Sequence, residues 1–156
     1  MSAERRPRVL VVEDGHEYIT TLRRYLGQAF DFARAGDGHE ALAQLAGGPW
    51  DVVFLDMRFD RTAPSQLLGD LAVTADRFNG DTHRATRFLE EHQGTYVLAA
   101  LREAGCGLPV VMSYDFDSEP RRWKHLEARY RPIRYLTDNA DPERIQQALR
   151  GAAATG

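Results

Sequence analysis

The sequence predicts a single α/β domain in which a mostly parallel sheet is covered by helices on both faces. Short apolar runs of strand length alternate with stretches of helical periodicity along the chain. The 156 residues are enough for one domain with its own hydrophobic core. Two of the apolar runs end in carboxylates. Because ligands of open α/β sheets bind at the carboxyl ends of the strands, these acids predict a site at one edge.

Five apolar runs give the strands of the predicted sheet. Strand one spans about Arg8 to Val12, strand two about 31–35 and strand three about 51–55. Strand four spans about 109–112 and strand five about 133–136. Strands that alternate with helices predict a mostly parallel α/β sheet.

Helical patterns occupy the connections between these strands. The first helix is predicted over about 17–29, from an apolar stripe with i, i+3/i+4 spacing. A second helix follows the turn at 36–38 and ends before Gly47. The last helix begins with Asp141 as N-cap and Pro142 at its first position, and the tail at 151–156 is expected to be disordered.

The connection between strands three and four is too long for one crossover helix. It is predicted to hold a helix near 65–78, a turn at 79–81 and a helical stretch over 82–104 that Gly94 interrupts. Because a structureless loop of this length is uncommon in a compact domain, we interpret about 59–93 as a helical insertion. Its apolar side is expected to pack on the sheet. Its exposed side is a candidate surface for a partner or a homodimer.

Composition excludes several classes of protein. No apolar stretch reaches the roughly 20 residues that a membrane-spanning helix needs, and the N-terminus does not have the pattern of a signal peptide. A net charge of −3 gives no support to nucleic-acid binding. Cys106 is the single cysteine, which rules out an internal disulfide and a multi-cysteine metal site. A cytoplasmic location is therefore expected.

Carboxylates at the ends of strands one and three predict a cation site. Glu13 and Asp14 follow strand one, and Asp56 follows the apolar run of strand three. Mg²⁺ prefers such oxygen ligands, and it would relieve the repulsion between crowded carboxylates. An aspartate in this setting can act as a nucleophile toward a phosphoryl group.

Five segments of the chain resemble the receiver domain of bacterial two-component response regulators. They are RVLVVED at 8–14, AGDGHEAL at 35–42, DVVFLDM at 51–57, LPVVMS at 108–113 and RYLTD at 134–138. The resemblance covers roughly 7–58 and 94–150. It implies one receiver-like domain over 1–156 with a doubly wound, five-stranded parallel sheet of the flavodoxin-like kind and the insertion between strands three and four.

The resemblance also implies a role for particular residues. Glu13, Asp14 and Asp56 match the acids that hold Mg²⁺, and the backbone carbonyl of Arg58 matches a further metal ligand. Asp56 matches the aspartate that accepts a phosphoryl group from a histidine kinase. Ser113 matches the hydroxyl residue that contacts this group, and Tyr135 matches an aromatic switch on strand five.

Three positions depart from the family pattern. Asp138 and Asn139 stand where receivers have lysine and proline, and the lysine would contact the phosphoryl oxygens. Tyr114 stands where a small residue is usual, which is expected to narrow access to Asp56. Lys124, the single lysine, is a poor substitute, whereas Arg58, Arg121 or Arg134 could supply the missing positive charge.

These features predict an atypical response regulator receiver, not a free-standing enzyme. It would take a phosphoryl group from a histidine kinase or a phosphotransfer protein and signal to a downstream protein through protein–protein contacts. The main alternative is a pseudo-receiver, an interaction module of the same fold that never carries phosphate. A metal-dependent phosphohydrolase using the same carboxylates is a further alternative. Matches to dinucleotide-binding and Toprim-type patterns are weak in position and spacing.

Overall fold

A five-stranded, all-parallel sheet with the strand order β2-β1-β3-β4-β5 forms the centre of the molecule. The computed structural model describes residues 5–137 and 139–155. The strands are β1 (Arg8–Val12), β2 (Asp31–Ala35), β3 (Val52–Asp56), β4 (Val110–Ser113) and β5 (Ile133–Leu136). This arrangement confirms the predicted doubly wound sheet, and Asp56 is the last residue of β3 rather than the residue after it.

Helices cover both faces of the sheet. They are α1 (Glu17–Leu26), α2 (Gly38–Ala46), α3 (Leu71–Asp76), α4 (Thr82–Glu91), α5 (Gln93–Glu103), α6 (Pro120–Tyr130) and α7 (Pro142–Thr155). Short 3-10 turns at Pro64–Gln66 and Phe116–Ser118 complete the connections. The first helix is shorter than predicted because Gly27 caps it: the Gly27 N–H donates to the carbonyl of Arg23.

Alternate residues of each strand enter two separate apolar clusters, one on each side of the sheet. On one side, strand residues such as Leu10, Val53 and Met112 pack with Leu98 of α5 and Leu126 of α6. On the other side, strand residues pack with apolar residues of α1 and α7; this cluster includes Val11, Phe54, Leu22 and Leu149. Burial on both faces explains why the strands are continuous apolar runs.

The connection from β3 to β4 differs in detail from the prediction. The helix expected over 65–78 is confined to α3, because Asp70 caps it and accepts a hydrogen bond from the Val73 N–H at 3.0 Å. The turn at 79–81 is present, and Asp81 caps α4. The long helical stretch divides at His92 rather than at Gly94, which is the second residue of α5. The range 59–93 stays a predicted insertion.

The tail provides a correction. Residues 151–155, expected to be disordered, continue α7 to Thr155. Ala152 is fully buried and lies one helical turn beyond Leu149, so the apolar stripe of α7 extends into the segment that was expected to fray. Gly156 lies outside the described residues.

No helix within the described part of the chain has the length and apolar character needed to cross a membrane.

Candidate functional site

The sheet brings the predicted acids to one edge. In the register of the strands, Val12 pairs with Leu55 and Asp56 pairs with Ser113. Asp56 and Ser113 therefore lie side by side, next to the loop that follows β1. An open cavity of about 520 Å³ is lined by the residues that the sequence predicted for the site: Glu13, Asp14, Asp56, Arg58 and Ser113.

Glu13 is a buried carboxylate that closes the first turn of α1. Its two oxygens accept hydrogen bonds from the backbone N–H groups of Ile19 at 2.7 Å and Tyr18 at 3.0 Å. The N-cap residue His16 makes no side-chain capping bond, so Glu13 takes over that role. Burial raises the pKa of Glu13, and the two N–H donors oppose this rise.

The buried Glu13 predicts a stability that depends on pH. The pKa of Glu13 in the folded protein lies above its ordinary value of 4.5. At a pH between 4.5 and the folded pKa, the folded protein therefore binds more protons than the unfolded chain. Stability without divalent cations should therefore fall as pH rises through this window. Glu13→Gln should flatten that part of the profile, measured by urea unfolding in EDTA from pH 4.5 upward. Glu127→Gln, at an exposed carboxylate on α6, is the control and should leave the profile unchanged; an equal slope in Glu13→Gln and wild type would contradict this.

Asp14 is held at the mouth of the cavity by backbone contacts. Its Oδ2 accepts a hydrogen bond from the Arg61 backbone N–H at 2.5 Å. The Arg34 guanidinium donates to the carbonyl oxygens of Gly15 at 2.6 Å and Asp14 at 3.0 Å. The loop after β1 is thus tied both to β2 and to the segment after β3.

Asp56 and Ser113 form the floor of the cavity. Asp56 Oδ1 accepts a hydrogen bond from the Met57 N–H at 2.8 Å. Ser113 is buried, and its hydroxyl lies 2.5 Å from the hydroxyl of Tyr18. The Tyr18 ring packs on Phe54 at 5.1 Å between centroids. The sequence assigned Tyr18 only to the apolar stripe of α1; its contact with Ser113, 95 positions away, has no local signal.

The cavity presents oxygen ligands of the kind that a hard cation prefers. Among the described residues, no three His, Cys, Asp or Glu side chains are arranged to hold a metal ion. Both oxygens of Glu13 accept hydrogen bonds from the first turn of α1, whereas Asp14 and Asp56 are the other two predicted ligand carboxylates that line the cavity. Mg²⁺ commonly binds proteins through one or two carboxylates and keeps several waters. The residues therefore fit Mg²⁺ with Asp14 and Asp56 as the main carboxylate ligands.

Tyr135 lies outside this cavity, in an aromatic cluster at the edge of the sheet. Its ring packs edge-on against Trp123 at 4.6 Å and Phe116 at 5.4 Å between centroids. Its hydroxyl donates to Asp117 Oδ1 at 2.5 Å. Tyr114 belongs to the same cluster and donates to Glu119, so its hydroxyl is tied to the residue before α6. Tyr114 also lines the cavity, as its position in the sequence predicted.

The cations considered as replacements for the missing lysine occupy different places. Arg58 lines the acidic cavity. Arg134 and Lys124 line a different cavity, next to Pro109 at the opposite end of β4. Asp138, the residue in the lysine position, lies outside the described residues. Sequence reasoning missed Arg61, which lines the acidic cavity and pairs with Glu17 at 2.6 Å.

Comparison with other proteins identifies the fold. No model of a known protein family matches the chain, and no curated protein matches it. Solved structures do match. The receiver domain of the Francisella response regulator 1452 aligns with a TM-score of 0.65 and 18% identity, over 96% of this chain and 98% of that one.

Two further structures give the same result. The receiver domain of NtrX from Brucella abortus has a TM-score of 0.65 and 17% identity, over 95% of this chain and 99% of its own. The chemotaxis protein CheY4 of Vibrio cholerae has a TM-score of 0.62 and 17% identity, over 95% and 99%. The chain is thus similar in fold, over nearly its whole length, to response regulator receiver domains.

Proposed function

We propose that this chain is a receiver of two-component signalling that accepts a phosphoryl group on Asp56. The observation that carries the proposal is the register of β3 and β4, which sets Asp56 beside Ser113 in one cavity with Asp14. Phosphoryl transfer requires a nucleophile, a hydrogen-bond donor and neutralising charge in one place. A histidine kinase or a phosphotransfer protein is the proposed donor.

In the proposed reaction, a carboxylate oxygen of Asp56 attacks phosphorus. The bond between phosphorus and the donor imidazole nitrogen breaks, and the imidazole leaves with the electron pair and takes a proton from solvent. Mg²⁺, held by Asp14, Asp56 and the Arg58 carbonyl with Glu13 close by, would supply positive charge for the developing anion. The Met57 N–H already donates to Asp56, which orients the carboxylate.

The hydroxyl of Ser113 shares a hydrogen bond with the hydroxyl of Tyr18. Where Tyr18 is the donor, Ser113 can keep this bond and donate to a phosphoryl oxygen; where Ser113 is the donor, its hydroxyl must turn to make that contact. Either arrangement would couple the cavity to α1. In this proposal, output passes by a population shift at β5 and α6, with Tyr135 as the switch, to a downstream protein in the cytoplasm.

One observation favours the pseudo-receiver as the second candidate function. Glu13 and Ser113 are both satisfied within the protein, by the first turn of α1 and by Tyr18. A site whose groups are already paired needs no ligand to be stable. In this case the chain would act as an interaction module, with the exposed side of 59–93 as a partner or homodimer surface.

The deciding experiment is the intact mass of the protein after incubation with acetyl phosphate and Mg²⁺. We expect the gain of one phosphoryl group in wild type and complete loss of that gain in Asp56→Asn. Asp60→Asn changes a different carboxylate of the same cavity and should keep the gain. A wild type that stays unmodified would favour the pseudo-receiver. Continuous release of phosphate from a small phosphoester would instead favour a phosphohydrolase.

A further inference from the structure

Arg61 lies at the rim of the acidic cavity, in the segment that follows β3. Its backbone N–H donates to Asp14 Oδ2 at 2.5 Å, which holds the backbone of Arg61 beside Asp14. Its guanidinium pairs with Glu17, the first residue of α1, at 2.6 Å. Arg61 thus joins the loop after β3 to the start of α1 across the mouth of the cavity.

Gly15 leaves the space that this ion pair occupies. A Cβ atom at Gly15 would collide with both the Glu17 carboxylate and the Arg61 guanidinium. Gly15 is buried, although both members of the pair reach solvent. The pair therefore lies directly over the backbone between Asp14 and α1, and both of its members line the same cavity as Asp56.

The cavity has an excess of negative charge. Carboxylates outnumber guanidinium groups in its lining. Burial raises the pKa of Glu90 nearby, and the negative charges of Asp60 and Asp14 add to the rise. A phosphoryl group would bring further negative charge, and the sequence supplies Asp138 where receivers have a lysine. Positive charge from the protein would offset it, and the guanidinium groups that line the cavity are those of Arg58 and Arg61.

We propose that Arg61 supplies the cationic contact to the phosphoryl group that a strand-five lysine makes in other receivers. The inference rests on the proposed function. Arg61 exchanges Glu17 for the phosphoryl oxygens, and Glu17 turns into solvent. An arginine is suited to this contact because it stays protonated and its planar fork binds two phosphate oxygens at once.

The exchange costs little because the present pair is open to solvent. The side chains of Arg61 and Glu17 are 61% and 64% exposed. Ion pairs this exposed contribute little to stability and are weakened further by salt. The backbone bond from Arg61 to Asp14 does not depend on the guanidinium, so the side chain can change partner while its position along the chain stays fixed.

The test is the affinity of beryllofluoride, a phosphoryl analogue, measured by calorimetry in saturating Mg²⁺. Arg61→Gln should bind roughly tenfold more weakly than wild type, since one charge-assisted contact is lost, and Arg61→Lys should recover part of the affinity. Glu17→Gln should bind more tightly, because the competing carboxylate is gone. Affinity for Mg²⁺ alone should not fall in Arg61→Gln, which separates this role from support of the metal site.

The matched control is Arg84→Gln, an arginine of α4 whose guanidinium lies 5.0 Å from the ring centre of Phe78. It should bind beryllofluoride as wild type does. Unchanged affinity in Arg61→Gln, or a loss confined to Arg58→Gln, overturns this inference and leaves the proposed function in place. A wild type that binds no beryllofluoride with Mg²⁺ overturns the proposed function, and the inference with it.

Discussion

Replacing Gly94 with alanine is expected to destabilise the protein by about 2 kcal/mol, the cost of forcing an extra carbon into a filled site. A Cβ atom at this position would lie 2.6 Å from the carbonyl oxygen of Asp56 and 2.9 Å from the Cα of Met57. Both are backbone atoms, so no side chain can turn aside. Alanine is favoured over glycine inside a helix by up to about 1 kcal/mol, which is too little to offset the collision.

The same substitution should impair the site. The Gly94 N–H donates to the Met57 carbonyl at 2.9 Å, and the Phe59 N–H donates to the Glu90 carbonyl at 2.9 Å. These two bonds hold the segment after Asp56 against α4 and α5. Because the new methyl group must push α5 away from β3, phosphorylation of Asp56 should slow even where the variant remains folded.

Urea unfolding measures the first effect, and the initial rate of mass gain with acetyl phosphate measures the second. Gly107→Ala is the matched control. A Cβ atom there meets nothing within 4 Å, and its backbone does not require glycine, so its stability should stay within about 0.5 kcal/mol of wild type. A Gly94→Ala protein as stable as wild type would show that α5 can move away from β3 at no cost.

Local sequence was sufficient to predict the sheet and the acids at its edge. The runs that form β1 and β3 are apolar at every core position. Glu13 directly follows the first run, and Asp56 ends the second. Parallel strands share one carboxyl edge, so two such runs already bring their terminal acids together. The receiver resemblance then gave Ser113, which the register of β3 and β4 sets opposite Asp56.

Contacts between distant segments could not be predicted in this way. The bond from Arg61 to Asp14 joins residues 47 positions apart, and the bond from Tyr18 to Ser113 joins residues 95 apart. Gly94 illustrates the same limit. Glycine inside a helical pattern locally indicates a break, yet here it lies within α5, because the approach of β3 leaves no room for a side chain. Tertiary packing requires glycine at position 94, and helix propensity alone led to the wrong prediction of a break there.

Replacement of Arg102 is expected to cause the second large loss of stability. Its guanidinium, half-buried at the last turn of α5, donates to four backbone carbonyls: Leu108 at 2.7 Å, Cys106 at 2.8 Å, Tyr130 at 2.9 Å and Pro132 at 3.0 Å. Cys106 and Leu108 lie in the loop before β4, whereas Tyr130 ends α6 and Pro132 lies in the loop before β5. One side chain therefore ties together the two connections that set the position of β4 and β5 at the amino end of the sheet.

Arg102→Met should lower the free energy of unfolding by about 3 kcal/mol, because charged hydrogen bonds are lost and the half-buried carbonyls of Cys106 and Leu108 lose this donor. The free energy of unfolding of Arg102→Lys should lie between those of wild type and Arg102→Met, since an ammonium group cannot reproduce the planar fork of the guanidinium. Arg121→Met, at an exposed arginine of α6, is the control and should change stability by no more than about 0.5 kcal/mol. Equal urea midpoints for Arg102→Met and Arg121→Met would mean that water replaces the guanidinium at these carbonyls. The two loops would then be held by the packing of β4 and β5 alone.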